Sequence, residues 1–149
     1  MVSSWTRLSD TIIPSRGKIT GGYVNSAMAK DQAESAGYDD AIMLDERGKV
    51  TEATGACLFL VRDGVLTTPR VTDGILESVT RDVVIRVCRE VLGLVVEERE
   101  IDRTELYACE EVFLCGTGEE VTAVTSIDRL PVADGSPGPV FLAVERLYH

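Results

Sequence analysis

Apolar and polar positions along the 149-residue chain switch between a spacing near two and a spacing near three to four, and the switches mark its elements. Residues 1–17 are polar and irregular, and Pro14 and Gly17 argue against a helix there. Residues 23–36 favour helix, with Gly37 as the stop. Residues 41–44 read as a short apolar strand, and Asp45-Glu46-Arg47-Gly48 turns the chain back. Residues 49–54 and 57–62 follow as strands, the second carrying Leu58, Phe59, Leu60 and Val61. Asp63-Gly64 is a strong hairpin signal, and the strand after it ends at Pro69.

The clearest helix spans residues 80–92. Val83, Val84, Val87, Val91 and Leu92 form one apolar stripe, Ser78 is the expected N-cap, and Gly93 ends the helix. A strand near residues 95–101, a short helix over 103–109, strands over 112–115 and 121–127 and a helix over 139–148 complete the pattern. There is no repeat, linker or low-complexity stretch. The expectation is one α/β (α+β) domain with mixed, largely antiparallel strands rather than an alternating βαβ series.

Charge narrows the function classes. Twenty-five acidic against 15 basic residues give a formal net charge of −10, which repels nucleic acid and anionic lipid. The apolar runs fall far short of the ~20 residues of a membrane span, and Trp5, Arg7 and Asp10 interrupt the one candidate signal segment. The expectation is a cytoplasmic protein. Cys57, Cys88, Cys109 and Cys115 have no metal-ligand spacing and His149 is the only histidine, so these read as buried or half-buried free thiols, with no metal site.

Taken singly, the polar motifs are weak signals: Lys18-Ile19-Thr20-Gly21-Gly22 is a lysine in a turn, and Glu52 an ordinary strand glutamate. Their order is more informative. K-x-x-G-G-Y-V-N-S, A-G-Y-D-D-A-I-M-L-D and V-T-E-A-T-G-A-C-L-F-L-V-R-D-G-V-L-T-T-P are followed by I-L-E-S-V-T-R-D and E-E-V-F-L-C-G-T-G-E-E-V. This series resembles the class IV (fold-type IV) aminotransferases that use pyridoxal 5′-phosphate (PLP), over nearly the whole chain. Tyr23-Val24-Asn25-Ser26 is most similar to the branched-chain amino acid type.

The resemblance implies a fold and a set of roles. The fold would be the large C-terminal domain of the D-amino acid aminotransferase-like proteins, mostly antiparallel strands in a pseudo-barrel flanked by helices. Lys18 would bind PLP covalently and carry the proton moved in the reaction. Tyr23 would meet the ring's phenolic oxygen, Glu52 the pyridine nitrogen, and Leu76 a ring face. Backbone amides of Val79 and Thr80, at a helix start, and the Thr117 hydroxyl would hold the phosphate. Thr117 and Gly118 would turn backbone N–H groups to the substrate carboxylate. The implied activity transfers amino groups from leucine, isoleucine or valine to 2-oxoglutarate, in a homodimer.

This sequence also departs from the family pattern. Ala56-Cys57 stands where members often have Glu-Asn, and Ser78 where they often have glycine. The family's N-terminal small domain, with a phosphate-binding arginine, is expected to be missing here, which leaves residues 1–149 as the PLP-binding large domain. Two alternatives stay open: a D-amino acid aminotransferase or aminodeoxychorismate lyase, and a non-catalytic scaffold derived from the family.

Overall fold

A computed structural model describes residues 1–148 as two sheets packed between helices. The first sheet orders β1 (Val2–Thr6), β2 (Ile42–Leu44) and β3 (Val50–Ala53), with β1 parallel and β3 antiparallel to β2. The second holds five strands, β4 (Cys57–Arg62), β5 (Val65–Thr68), β6 (Val96–Glu98), β7 (Glu111–Gly116) and β8 (Glu120–Ala123), in the order β6-β5-β4-β7-β8. Only β5 and β6 run parallel in it. A small ribbon of β9 (Ser126–Ile127) and β10 (Leu130–Pro131) follows. The helices are α1 (Tyr23–Ser35), α2 (Val79–Arg86) and α3 (Pro139–Tyr148).

Both faces of the central strands are buried, so apolar residues run on without polar interruption. Leu58 and Leu60 of β4, with Val112 and Leu114 of β7, face Ile42, Val50 and Ala53 of the three-stranded sheet. Cys57, Phe59, Val61, Phe113 and Cys115 point the other way, against Val84 and Ile85 of α2 and Phe141 and Val144 of α3. Phe59 and Phe113 stack with centroids 5.2 Å apart. On the outer face of the small sheet, Ala29 and Ala33 of α1 pack on Ala41 and Met43. The layers are therefore helix, sheet, sheet and helix pair.

Local chemistry fixes the joints. Asp63 (φ 50°) and Gly64 (φ 74°) are both left-handed, as a tight primed hairpin turn requires. Glu111 is buried in β7 and accepts from Val140 N at 3.0 Å and Phe141 N at 2.8 Å. It thereby supplies acceptors to the first turn of α3, which begins with Pro139. Gly138 is required beside it, because a Cβ there would lie 2.1 Å from Glu111 Cδ.

Three expectations need correction. Residues 1–17 are not all irregular: β1 pairs with β2. Its polar Ser3 and Ser4 hide a strand whose partner lies some forty positions on. The helix expected over residues 80–92 is α only to Arg86 and then widens into a π turn over Val87–Val91. The wider turn rotates Val91 off the apolar stripe, leaving it 63% exposed. The strand expected over 121–127 is broken into β8 and β9. The four cysteines are free and buried, as expected.

Candidate active site

The end of the molecule where β3 leaves one sheet, β4 enters the other and β7 finishes holds a cavity of about 110 Å³. Its walls come from residues far apart in the chain, among them Arg7, Lys18, Tyr23, Glu52, Leu76 and Thr117. Lys18 and Glu52 therefore share one space.

Lys18 follows the short 3-10 turn Ser15–Gly17 in the left-handed conformation, φ 45° and ψ 43°. That region disfavours a residue with a Cβ by about 1 kcal/mol, and such strain clusters where a side chain must be aimed. Lys18 Nζ has no hydrogen-bond or ion-pair partner among the described residues. Two residues on, the 3-10 turn Thr20–Gly22 leads directly into α1, which places Tyr23 at the helix start on the cavity rim.

Glu52 lies in β3, where every residue is buried. Its carboxylate is held from two sides. Oε1 meets Arg7 Nη2 at 2.6 Å. Oε2 accepts from Leu76 N at 3.1 Å and lies 3.9 Å from Cys57 Sγ. Burial pushes the Glu52 carboxyl above its ordinary range, and the Arg7 guanidinium and the Leu76 amide pull against that shift. Burial likewise pushes the Cys57 thiol up to about 12 and the Cys115 thiol higher still, so neither is an activated nucleophile.

Thr117 and Gly118 form the exposed turn between β7 and β8 and border the cavity from the other wall. Gly116 just before them has no room for a side chain, since a Cβ would sit 3.3 Å from Gly55 O. Helix α2 points its start towards the same space. Ser78 lines the cavity and caps the helix, its Oγ accepting from Arg81 N at 3.3 Å. Val79 and Thr80 stand one step behind it and do not border the cavity among the described residues, Val79 being exposed and Thr80 buried.

Sequence reasoning missed Arg7, Ser78 and the facing pair Cys57 and Cys115 as residues of this cavity. For Ser78 a signal existed, the N-cap position. Arg7 gave none, as a single arginine in a polar stretch. The donor set suits a phosphorylated, cationic aromatic ring: an unpaired amine, a phenol, a buried carboxylate, an apolar Leu76, and a helix start beside a threonine hydroxyl.

Comparisons with known proteins agree with that chemistry. The family model for amino-transferase class IV matches residues 1–127. The probable branched-chain-amino-acid aminotransferase of Aquifex aeolicus is 46% identical over 147 residues, covering 99% of this chain and 47% of that protein. A crystal structure of the branched-chain amino acid aminotransferase of Thermobaculum terrenum in its PLP form superposes with a TM-score of 0.96 at 51% identity, covering 99% of this chain and 48% of the other. The branched-chain aminotransferase of Thermoproteus uzoniensis with norvaline gives a TM-score of 0.94 at 43% identity, covering 99% and 48%. The chain spans about half the length of the curated relatives it matches, 47% in the first case.

Proposed function

The chain belongs to the class IV aminotransferases, and on that premise we propose that residues 1–149 form the PLP-binding large domain of a branched-chain amino acid transaminase. The observation that carries this reading is the meeting of Lys18 and Glu52, 34 positions apart in sequence, on the wall of one cavity. The likeness to branched-chain enzymes from three organisms supports the substrate class.

When bound, PLP supplies a cationic ring that accepts the electron pair left on an amino acid's α-carbon. The rest falls to this chain's own side chains. Lys18 Nζ would hold the cofactor and would take the proton from the substrate's α-carbon. Glu52 pairs with the pyridine nitrogen and keeps a proton on it. The Tyr23 hydroxyl steadies the phenolic oxygen, and Leu76 packs on a ring face. The Thr117 hydroxyl on the cavity wall would take the phosphate, together with the backbone N–H groups of Val79 and Thr80, one step behind Ser78 at the start of α2. The amides of Thr117 and Gly118 orient the substrate carboxylate. The amino donors are leucine, isoleucine and valine, the acceptor is 2-oxoglutarate, and the assembly is a homodimer.

The test is covalent capture. The protein is mixed with PLP, reduced with borohydride and digested. The expected result is one modified peptide, carrying its adduct on Lys18, and none in Lys18→Ala. Scattered labelling of surface lysines with Lys18 untouched overturns the reading and leaves a scaffold. In the full-length protein, turnover of leucine but not D-alanine with 2-oxoglutarate separates the branched-chain reading from a D-amino acid enzyme.

A further inference from the structure

Arg7 reaches the cavity from just beyond β1, where its backbone N–H donates to Leu44 O at 2.8 Å. Its guanidinium then spans three elements. Nε donates to Gly74 O at 3.2 Å, Nη1 to Ser26 Oγ of α1 at 3.1 Å, and Nη2 meets Glu52 Oε1 at 2.6 Å. The side chain is only 14% exposed, and that of Glu52 only 7%. A buried cation with all three nitrogens engaged has one orientation, so it aims its partner as well as neutralising it.

We propose that Arg7 is a positioning residue of this site, holding the Glu52 carboxylate ionised and fixing its Oε1 edge so that the free lone pairs face the cavity. The inference rests on the reading that Glu52 meets the ring nitrogen. The logic is one of charge order. A carboxylate in a sealed site takes up a proton unless a cation stands beside it, and a neutral carboxylic acid is a weak partner for a protonated ring. A guanidinium in contact with the carboxylate, Nη2 to Oε1 at 2.6 Å, favours its ionised form. Lysine is a poorer fit, because one ammonium cannot serve Gly74, Ser26 and Glu52 in the same planar geometry.

The charged and titratable groups facing Glu52 are few. Arg7 approaches from the end of β1 and Cys57 from β4, while Lys18 and Tyr23 stand elsewhere on the cavity wall. The Cys57 thiol, pushed up to about 12, stays neutral across the working range. Arg7 is thus the neighbouring cation in contact with the carboxylate.

The test begins without cofactor. Glutamate labelled with ¹³C at the side-chain carboxyl is incorporated, the Glu52 signal is assigned by its loss in Glu52→Gln, and its titration is followed in the native protein, Arg7→Gln and Arg7→Lys. Arg7→Gln moves the Glu52 midpoint up by about one pH unit or more, and Arg7→Lys moves it up by less. If Arg7→Gln does not fold, the smaller shift in Arg7→Lys still decides. A Glu52 midpoint unchanged in every folded variant overturns the inference. A second arm follows the pH dependence of the absorption band of protein-bound PLP. Arg7→Gln and Glu52→Gln are expected to move it in the same direction. If Glu52→Gln leaves the band untouched while the ¹³C shift holds, the ring-nitrogen reading fails and the Arg7–Glu52 coupling stands. If the ¹³C shift is absent while Glu52→Gln moves the band, the reading stands and the Arg7 inference fails.

Discussion

Two carboxylates in this molecule have nearly the same partners and opposite acidities. Glu105, in the short helical turn Arg103–Tyr107, accepts from Arg99 Nη1 at 2.9 Å and Nη2 at 2.8 Å, from Asp102 N at 3.0 Å and from Arg62 Nη1 at 3.4 Å. The paired bonds from Arg99 hold it down to about 2. Glu52 also has an arginine and a backbone N–H, yet burial drives it up. Local exposure does not separate them, with side chains 12% and 7% exposed. Depth and donor geometry do. Arg99 is 38% exposed and gives both of its terminal nitrogens to one carboxylate, as a fork that matches it. Arg7 divides its donors among Gly74, Ser26 and Glu52, and the carboxylate is buried in the wall of the cavity. Glu105 has its acceptor positions filled by Arg99, Arg62 and the Asp102 amide, while Glu52 on the cavity wall has one arginine nitrogen and one backbone amide.

Removing partners tests that contrast most strongly at the cavity. Arg7→Met or Glu52→Leu alone leaves one buried charge without its counter-ion, and each is expected to lose about 3–5 kcal/mol. The double variant R7M/E52L is expected to return to within about 1 kcal/mol of the native protein or to exceed it, since a buried pair repays little more than its desolvation. Denaturant unfolding of all four proteins checks this. A double variant as unstable as the sum of the singles removes the distinction between site and scaffold.

The next effect is smaller and depends on pH. Glu105→Gln is expected to lose about 2 kcal/mol at neutral pH, a figure discounted for the exposure of Arg99. Its folded pKa is depressed, so its contribution is complete above the ordinary value of 4.5 and disappears as pH falls towards 2. Glu52 has the other sign. Its folded pKa is raised, so between 4.5 and that raised value the folded state binds more protons and its contribution to stability falls as pH rises. Unfolding free energies measured from pH 2 to 7 should therefore show a flatter acid limb in Glu105→Gln than in the native protein. An unchanged acid limb would mean that the Arg99 pair is not what holds Glu105 down.

These contrasts also explain what was legible in the sequence. The hairpin at Asp63-Gly64, the Ser78 cap and the continuous apolar strand at β4 rest on local rules, and the structure has them where the pattern put them. Lys18 and Glu52 were found through the order of their motifs, and the fold brings both to one cavity. Arg7 was invisible because its meaning lies in its partners at Ser26, Glu52 and Gly74, none of them at a helical or strand spacing from it. Strand β1 was invisible for a related reason, its parallel partner being distant in the chain. The π turn was hidden because Val91 fits a helical stripe by count and leaves it only when the turn widens.

The smallest effect joins the two regions. Ser78 is at once the cap of α2 and a wall of the cavity. If its first task is scaffolding, Ser78→Ala loses about 1 kcal/mol of stability, and Ser78→Asn, which also caps well, recovers most of it. Both variants leave the Glu52 titration unchanged, because Glu52 receives its backbone bond from Leu76, two residues ahead of the cap. Denaturant midpoints and the ¹³C signal of Glu52 read the two effects separately. A Ser78→Ala protein with native stability and a displaced Glu52 midpoint would assign the hydroxyl to the cavity instead, and would extend the region that tunes this carboxylate from Arg7 to the start of α2.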